Sequence, residues 1–277
     1  MRSHVKEGVD MRSSGMAVLA LCLIYVSPAA AGPEGYTFAM GKRVYRKACV
    51  ACHGISGNGN GPGARPLDPR PRDFTKGLFK FRSTSTGELP TDEDLMRVVA
   101  EGVRGTAMPA WERYLTLEER TAVVMYVKSF FPDFSDPDFA PDDFVLELGE
   151  SPESRAARVE AGAALFRDEK KAGCVKCHGE AGRGDGPEAG TQRDEWGFRL
   201  DPADLTNREE YKMGHSAREI YRTLSTGLNG TPMPGYADTL SEEDRWNLAM
   251  FAASLVKDRR WYSYLFDTPN WDEPVLR

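Results

Sequence analysis

Apolar residues recur at helical spacing in six stretches of this chain, and the segments between them show no strand alternation. The first stretch covers 36–48, where Phe38, Gly41, Val44, Tyr45 and Ala48 share one helical face. A second helix is predicted over 92–102, opened by the Thr91-x-x-Asp94 cap signal. A third is predicted over 117–130, with Leu117, Val123, Val124 and Val127 as its apolar positions. The same plan returns at 154–168, at 217–227 behind Ser216-x-x-Glu219, and at 242–256. Thr116 with Glu119 and Ser241 with Asp244 resemble capping boxes, in which side chain and backbone satisfy each other's open groups. Between these helices lie loops rich in Gly and Pro, so the chain reads as all-α.

The repetition is a duplication. Cys49-Val50-Ala51-Cys52-His53 returns as Cys174-Val175-Lys176-Cys177-His178, an offset of 125 residues. Gly57, Gly59, Gly61 and Pro62 map onto Gly182, Gly184, Gly186 and Pro187 at that same offset of 125. Asp73-Phe74-Thr75 is echoed by Asp204-Leu205-Thr206 at 131, so the intervening loops differ in length. Gly105-Thr106-Ala107-Met108-Pro109 and Gly230-Thr231-Pro232-Met233-Pro234 return to 125. Residues 36–133 and 156–257 therefore form two tandem domains, joined by an acidic, Pro-rich linker over 134–155 and followed by an aromatic tail over 258–277.

One further apolar run, 16–27, follows Arg12 and ends in the small residues Ala29-Ala30-Ala31-Gly32. Its length suits a secretory leader better than a membrane span of about 20 residues. Residues 1–31 are thus expected to be a cleaved signal peptide, with an uncleaved anchor as the alternative. Removal of the leader takes Cys22 and His4 with it. The mature chain then keeps four cysteines, all in the two C-x-x-C-H motifs, and three histidines, His53, His178 and His215.

C-x-x-C-H is an attachment signature for haem c. Two thiols three positions apart reach the two vinyl groups of one porphyrin, and the next residue brings an imidazole to the iron. Zinc sites and redox dithiols also use C-x-x-C, but zinc asks for four ligands and these pairs stand far apart. Cys49, Cys52, Cys174 and Cys177 are the expected attachment points, and His53 and His178 the proximal iron ligands. Met108 and Met233 are the expected distal ligands, since each lies in a loop, precedes Pro, and follows its histidine by 55 residues. The competing reading makes them core methionines, like Met96, Met125 and Met250 on helical faces. Met213 and His215 are the rival distal ligands in the second unit. With one histidine to spare, the chain cannot supply two bis-histidine irons. Methionine–histidine ligation favours reduced iron and leaves no open coordination position, which suits electron transfer over catalysis.

Together the paired C-x-x-C-H motifs, the G-x-G-x-G-P loops, the two Met-Pro dipeptides and the aromatic terminal helices resemble the class I c-type cytochromes in a tandem, di-haem arrangement. The resemblance implies short helices wrapped around two covalently bound haem c groups. It implies that Gly41 and Tyr45 meet the last helix of their unit near Tyr126, and Gly162 and Phe166 theirs near Phe251. It also implies that a carbonyl in the Pro62 and Pro187 loops accepts the proximal imidazole N–H, and that Arg82, Arg104 and Trp111 hold propionates. No catalytic residue is implied. A peroxidase-like di-haem enzyme and a membrane-anchored oxidase or quinol-complex subunit are the alternatives.

Charge sharpens the partner class. Residues 36–133 carry 15 basic and 11 acidic groups, whereas 156–277 carry 17 and 21. A basic first unit suits an acidic redox partner, because complementary charge steers encounter. The expected partners are a redox protein donor and acceptor, among them membrane respiratory complexes, met in the periplasm. The acidic overall balance, net −6, disfavours nucleic acid.

Overall fold

The computed structural model describes residues 36–136 and 152–257. The leader, most of the linker with Phe139 and Phe144, and the aromatic tail lie outside the described residues. Among the described residues there are eight α-helices and no strand. They run α1 (Phe38–Ala48), α2 (Val50–His53), α3 (Asp92–Glu101), α4 (Leu117–Lys128), α5 (Pro152–Arg167), α6 (Val175–His178), α7 (Ala217–Thr226) and α8 (Glu242–Leu255). The first four build one unit and the last four the other.

Local chemistry sets the helix starts. Thr91, Thr116 and Ser216 each complete a reciprocal capping box with the acidic residue three positions on. Ser241 caps α8 through the amide of Asp244 at 3.0 Å. All four starts satisfy amides that have no partner inside the helix. The short helices α2 and α6 are single turns, below the length that apolar spacing reveals.

In each unit the first and last helices cross with their backbones nearly touching. A Cβ placed on Gly41 would lie 2.0 Å from the Ala122 carbonyl oxygen, and one on Gly162 would lie 2.0 Å from that of Asn247. Glycine is needed here for close approach. Beside each crossing the expected aromatic pair is formed, Tyr45 with Tyr126 and Phe166 with Phe251, both at 5.2 Å between ring centres. The second unit has one continuous core around Leu165, Tyr221, Trp246 and Leu248. In the first, Val44, Tyr45, Val123 and Val127 form one cluster, and Phe79, Leu89, Leu95 and Val124 another. Phe131 and Phe134, at the start of the linker, pack on the latter.

The two units dock directly. Arg82, only 1% exposed, donates to the carbonyls of Phe79 and Ser85 in its own unit and of Thr226 in the other. Thr86 Oγ1 donates to the same Thr226 oxygen at 3.2 Å, and the Arg104 amide donates to Lys212 O at 3.1 Å. No helix of the described residues is long and apolar enough to cross a membrane.

Candidate functional site: two attachment helices and their loops

Each C-x-x-C-H motif forms a one-turn helix, α2 or α6, that places its cysteines one turn apart on a common side. The carbonyls at the end of such a helix have no internal partners. The Gly-rich loop supplies them. Gly59 N donates to His53 O at 2.9 Å and Gly61 N to Cys52 O at 3.0 Å. In the second unit Gly184 N donates to His178 O at 2.9 Å and Gly186 N to Cys177 O at 3.1 Å. Gly59 and Gly184 take φ of 72° and 73°, the left-handed region where a side chain is strained. The G-x-G-x-G pattern is thus a clamp on the attachment helix.

All four described cysteines are free thiols. Burial, with the neighbouring Cys52, pushes Cys49 up to about 12. Burial likewise pushes Cys174 up to about 11 and also raises Cys177. Among the described residues no group of three or more His, Cys, Asp or Glu is placed to hold a bare metal ion.

The two imidazoles are held alike. His53 Nδ1 lies 3.0 Å from Arg72 O, and His178 Nδ1 lies 3.0 Å from Ala203 O. With a carbonyl as partner, Nδ1 carries the proton and Nε2 the lone pair. Burial lowers the pKa of both rings, which keeps them neutral, the form a metal binds. The orienting carbonyl therefore comes from Arg72 and Ala203, not from the Pro62 and Pro187 loops. The repeated Asp-x-Thr segment explains the difference. Asp73 Oδ1 accepts from Thr75 N at 2.9 Å and Asp204 Oδ1 from Thr206 N at 2.9 Å. The residue between is pinned to the Gly loop, Phe74 N to Gly57 O at 2.7 Å and Leu205 N to Gly182 O at 2.6 Å. This turn fixes the carbonyl just before it. The sequence shows the repeat, and its role needs the fold.

Met108 and Met233 sit half-buried in matching turns. Val103 N donates to Met108 O at 3.0 Å and Leu228 N to Met233 O at 3.1 Å. Thr106 and Thr231 close the turns by accepting from the methionine amides at 3.1 and 3.2 Å. Met233, Cys174 and Tyr236 pack on the same core cluster. Tyr236 OH also donates to Ala172 O at 2.9 Å, which ties the methionine loop to the approach of the attachment helix. At the position in the first unit matching Tyr236, Trp111 leaves its indole N–H buried without a partner among the described residues. Asn229 does the same with its side-chain amide, next to Gly230. The Arg104 side chain is exposed and lines a cavity of about 260 Å³ with Glu101, Arg113, Lys212 and Met213. The Arg82 guanidinium, expected to hold a propionate, is instead buried and donates to three backbone carbonyls.

Residues 37–127 match the family of cytochrome c oxidase, cbb3-type, subunit III, and residues 159–255 match the cytochrome c family. The fold matches a chain of the Kuenenia stuttgartiensis reducing HAO-like protein complex with a TM-score of 0.71 and 40% identity, covering 83% of this chain and 99% of that one. The chain belongs to the di-haem class I c-type cytochromes. A further relative of this cytochrome is the cbb3-type cytochrome c oxidase subunit FixP of Bradyrhizobium diazoefficiens, 30% identical over 96 residues. That match spans 35% of this cytochrome and only 28% of FixP. The family makes the cytochrome an electron carrier rather than an enzyme, and its cofactor is covalently bound haem c.

Proposed function

We propose that this cytochrome holds two haem c groups, one per unit, and passes single electrons between a donor and an acceptor redox protein. Cys49 and Cys52 attach the first haem, with His53 and Met108 on its iron. Cys174 and Cys177 attach the second, with His178 and Met233. The residues present fit these groups: four free thiols, two neutral imidazoles with Nε2 as the metal-facing nitrogen, and orphaned donors at Trp111 and Asn229 beside the methionine turns. When bound, each haem supplies a one-electron ferric–ferrous couple. The chain orients each imidazole through a backbone carbonyl, which raises its basicity and fixes its plane. The observation that carries the reading is the recurrence, in both units, of that 3.0 Å bond together with the same methionine turn.

Two matched turns, each ready to supply a thioether, favour a carrier over a peroxidase. FixP is by name an oxidase subunit, and the Kuenenia chain belongs to a complex. Both support a cytochrome that docks on larger redox assemblies of a respiratory membrane. The leader pattern supports a periplasmic setting for this work. Pyridine haemochrome analysis of the exported protein is expected to give two haems per chain, and Cys52→Ala or Cys177→Ala to impair one attachment each. One haem per chain, or steady turnover with peroxide, would overturn the reading.

The exposed face of α1 carries Lys42, Arg43, Arg46 and Lys47, close to Cys49 in sequence. This basic stripe suits an acidic partner. Electron-transfer rates with an acidic redox protein are expected to fall as ionic strength rises, and a K42E/R46E variant to flatten that slope. An unchanged slope would remove α1 from the docking surface.

A further inference from the structure

Between the attachment loop and the Asp-x-Thr turn, the second unit is longer than the first, and the repeat offset there grows from 125 to 131. The longer loop is a built structure. Asp194 Oδ1 accepts from Trp196 N at 3.0 Å and from Phe198 N at 2.9 Å. So folded, the loop reaches the first unit. Arg72 lies 5.1 Å over the Trp196 ring, and Arg70 lies 5.3 Å over Phe198. The Glu195 carboxylate bonds the Arg72 guanidinium, with side chains only 15% and 14% exposed.

Arg72 is also the residue whose carbonyl holds His53. Glu195 has a second attachment at its other end. Its amide donates to Gly230 O at 3.2 Å, and its carboxylate packs where a Gly230 side chain would stand, with Oε2 2.4 Å from the Cβ position. Gly230 opens the turn that carries Met233. One residue thus touches the element that orients the proximal imidazole of one unit and the element that presents the distal methionine of the other. The arrangement is not duplicated, because Ala203 stands in the second unit where Arg72 stands in the first.

We propose that Glu195 is a positioning residue that couples the two iron sites, so that its charge, balanced against Arg72, sets both reduction potentials together. The inference rests on the axial-ligand reading above. Ferric haem carries one more positive charge than ferrous haem. An unbalanced charge in a half-buried cluster therefore shifts both equilibria in one direction. Lys80 and Asp194 share the cluster and are left in place by the variants below.

The test is potentiometry on the haem-loaded full protein at pH 7, with the two midpoints resolved. Glu195→Gln is expected to raise both midpoints, and Arg72→Gln to lower both. The first haem should shift by about tenfold in its reduction equilibrium, ~59 mV for one electron. The double variant is expected to return towards the parent values. Glu195→Asp keeps the charge and should shift the midpoints less than the glutamine variant does. Movement of one midpoint alone, of neither, or an equal shift from Asp and Gln would overturn the proposal. A change confined to melting temperature would overturn it too, since it would mark a mere tie between units. The ligand reading is checked separately, by haem count and by the Met–Fe(III) absorption of the parent protein, so each can fail without the other.

Discussion

Gly162→Val is expected to cost the second unit about 3 kcal/mol or more, at the upper end of what overpacking does. A Cβ at that position would stand 2.0 Å from the Asn247 carbonyl oxygen and 2.8 Å from Phe251 Cβ. The nearest obstacle is backbone inside α8, so no rotamer change relieves it. Helix α5 must lift away, which separates Phe166 from Phe251 and opens the core that holds Trp246 and Leu248. A domain has only about 5–15 kcal/mol of stability to lose. The melting temperature of that unit should fall by roughly 12–24 °C, taking about 4–8 °C per kcal/mol. Gly190→Ala is the control. Nothing lies within 4 Å of a Cβ there, so its effect should stay within about 1 kcal/mol. Calorimetry of the haem-loaded variants measures both, and a Gly162→Val protein that melts with the parent would refute the close-crossing account.

This crossing could be anticipated from the sequence because it depends on residues near one another along two helices. Gly41 and Tyr45 lie on one face of α1, and resemblance supplied their partner helix. The four helix caps were equally accessible, since each joins two residues three positions apart. Contacts between distant segments were not. Arg82 has an ordinary cationic neighbourhood in the sequence, and it becomes a staple between units only when Thr226 arrives from another helix. The orienting carbonyls were hidden for a related reason. A backbone oxygen leaves no mark in residue type, and only the Asp-x-Thr turn beside it repeats. The longer loop of the second unit showed as a change of offset, with no hint that Glu195 crosses to Arg72. That crossing also changes the charge argument. Arg70 and Arg72 turn towards the second unit, whereas Lys42, Arg43, Arg46 and Lys47 on α1 stay exposed.

Met233→Ala and Met250→Ala are expected to fail in opposite ways. Met250 is 4% exposed within the core beside Trp246 and Phe251, so its truncation leaves a cavity. It should cost about 2–5 kcal/mol of stability and leave both reduction potentials near their parent values. Met233 sits half-buried in a turn that its side chain does not build. Leu228 N to Met233 O and Met233 N to Thr231 Oγ1 are backbone contacts that alanine keeps. Its truncation removes only partly buried packing on the edge of that core and should cost less stability than Met250→Ala. The thioether favours reduced iron, so its loss should lower the midpoint of the second haem by a sizeable part of the ~0.8 V that axial ligands span. On the proposed ligation the same variant should also gain carbon monoxide binding at that haem, while the first haem keeps its spectrum. Met108→Ala should mirror it in the first unit. Potentiometry and difference spectra of the three variants separate a ligand methionine from a packing one. An unchanged second midpoint in Met233→Ala would return that residue to the core and reopen the distal side to Met213, which is 9% exposed and lies between the units.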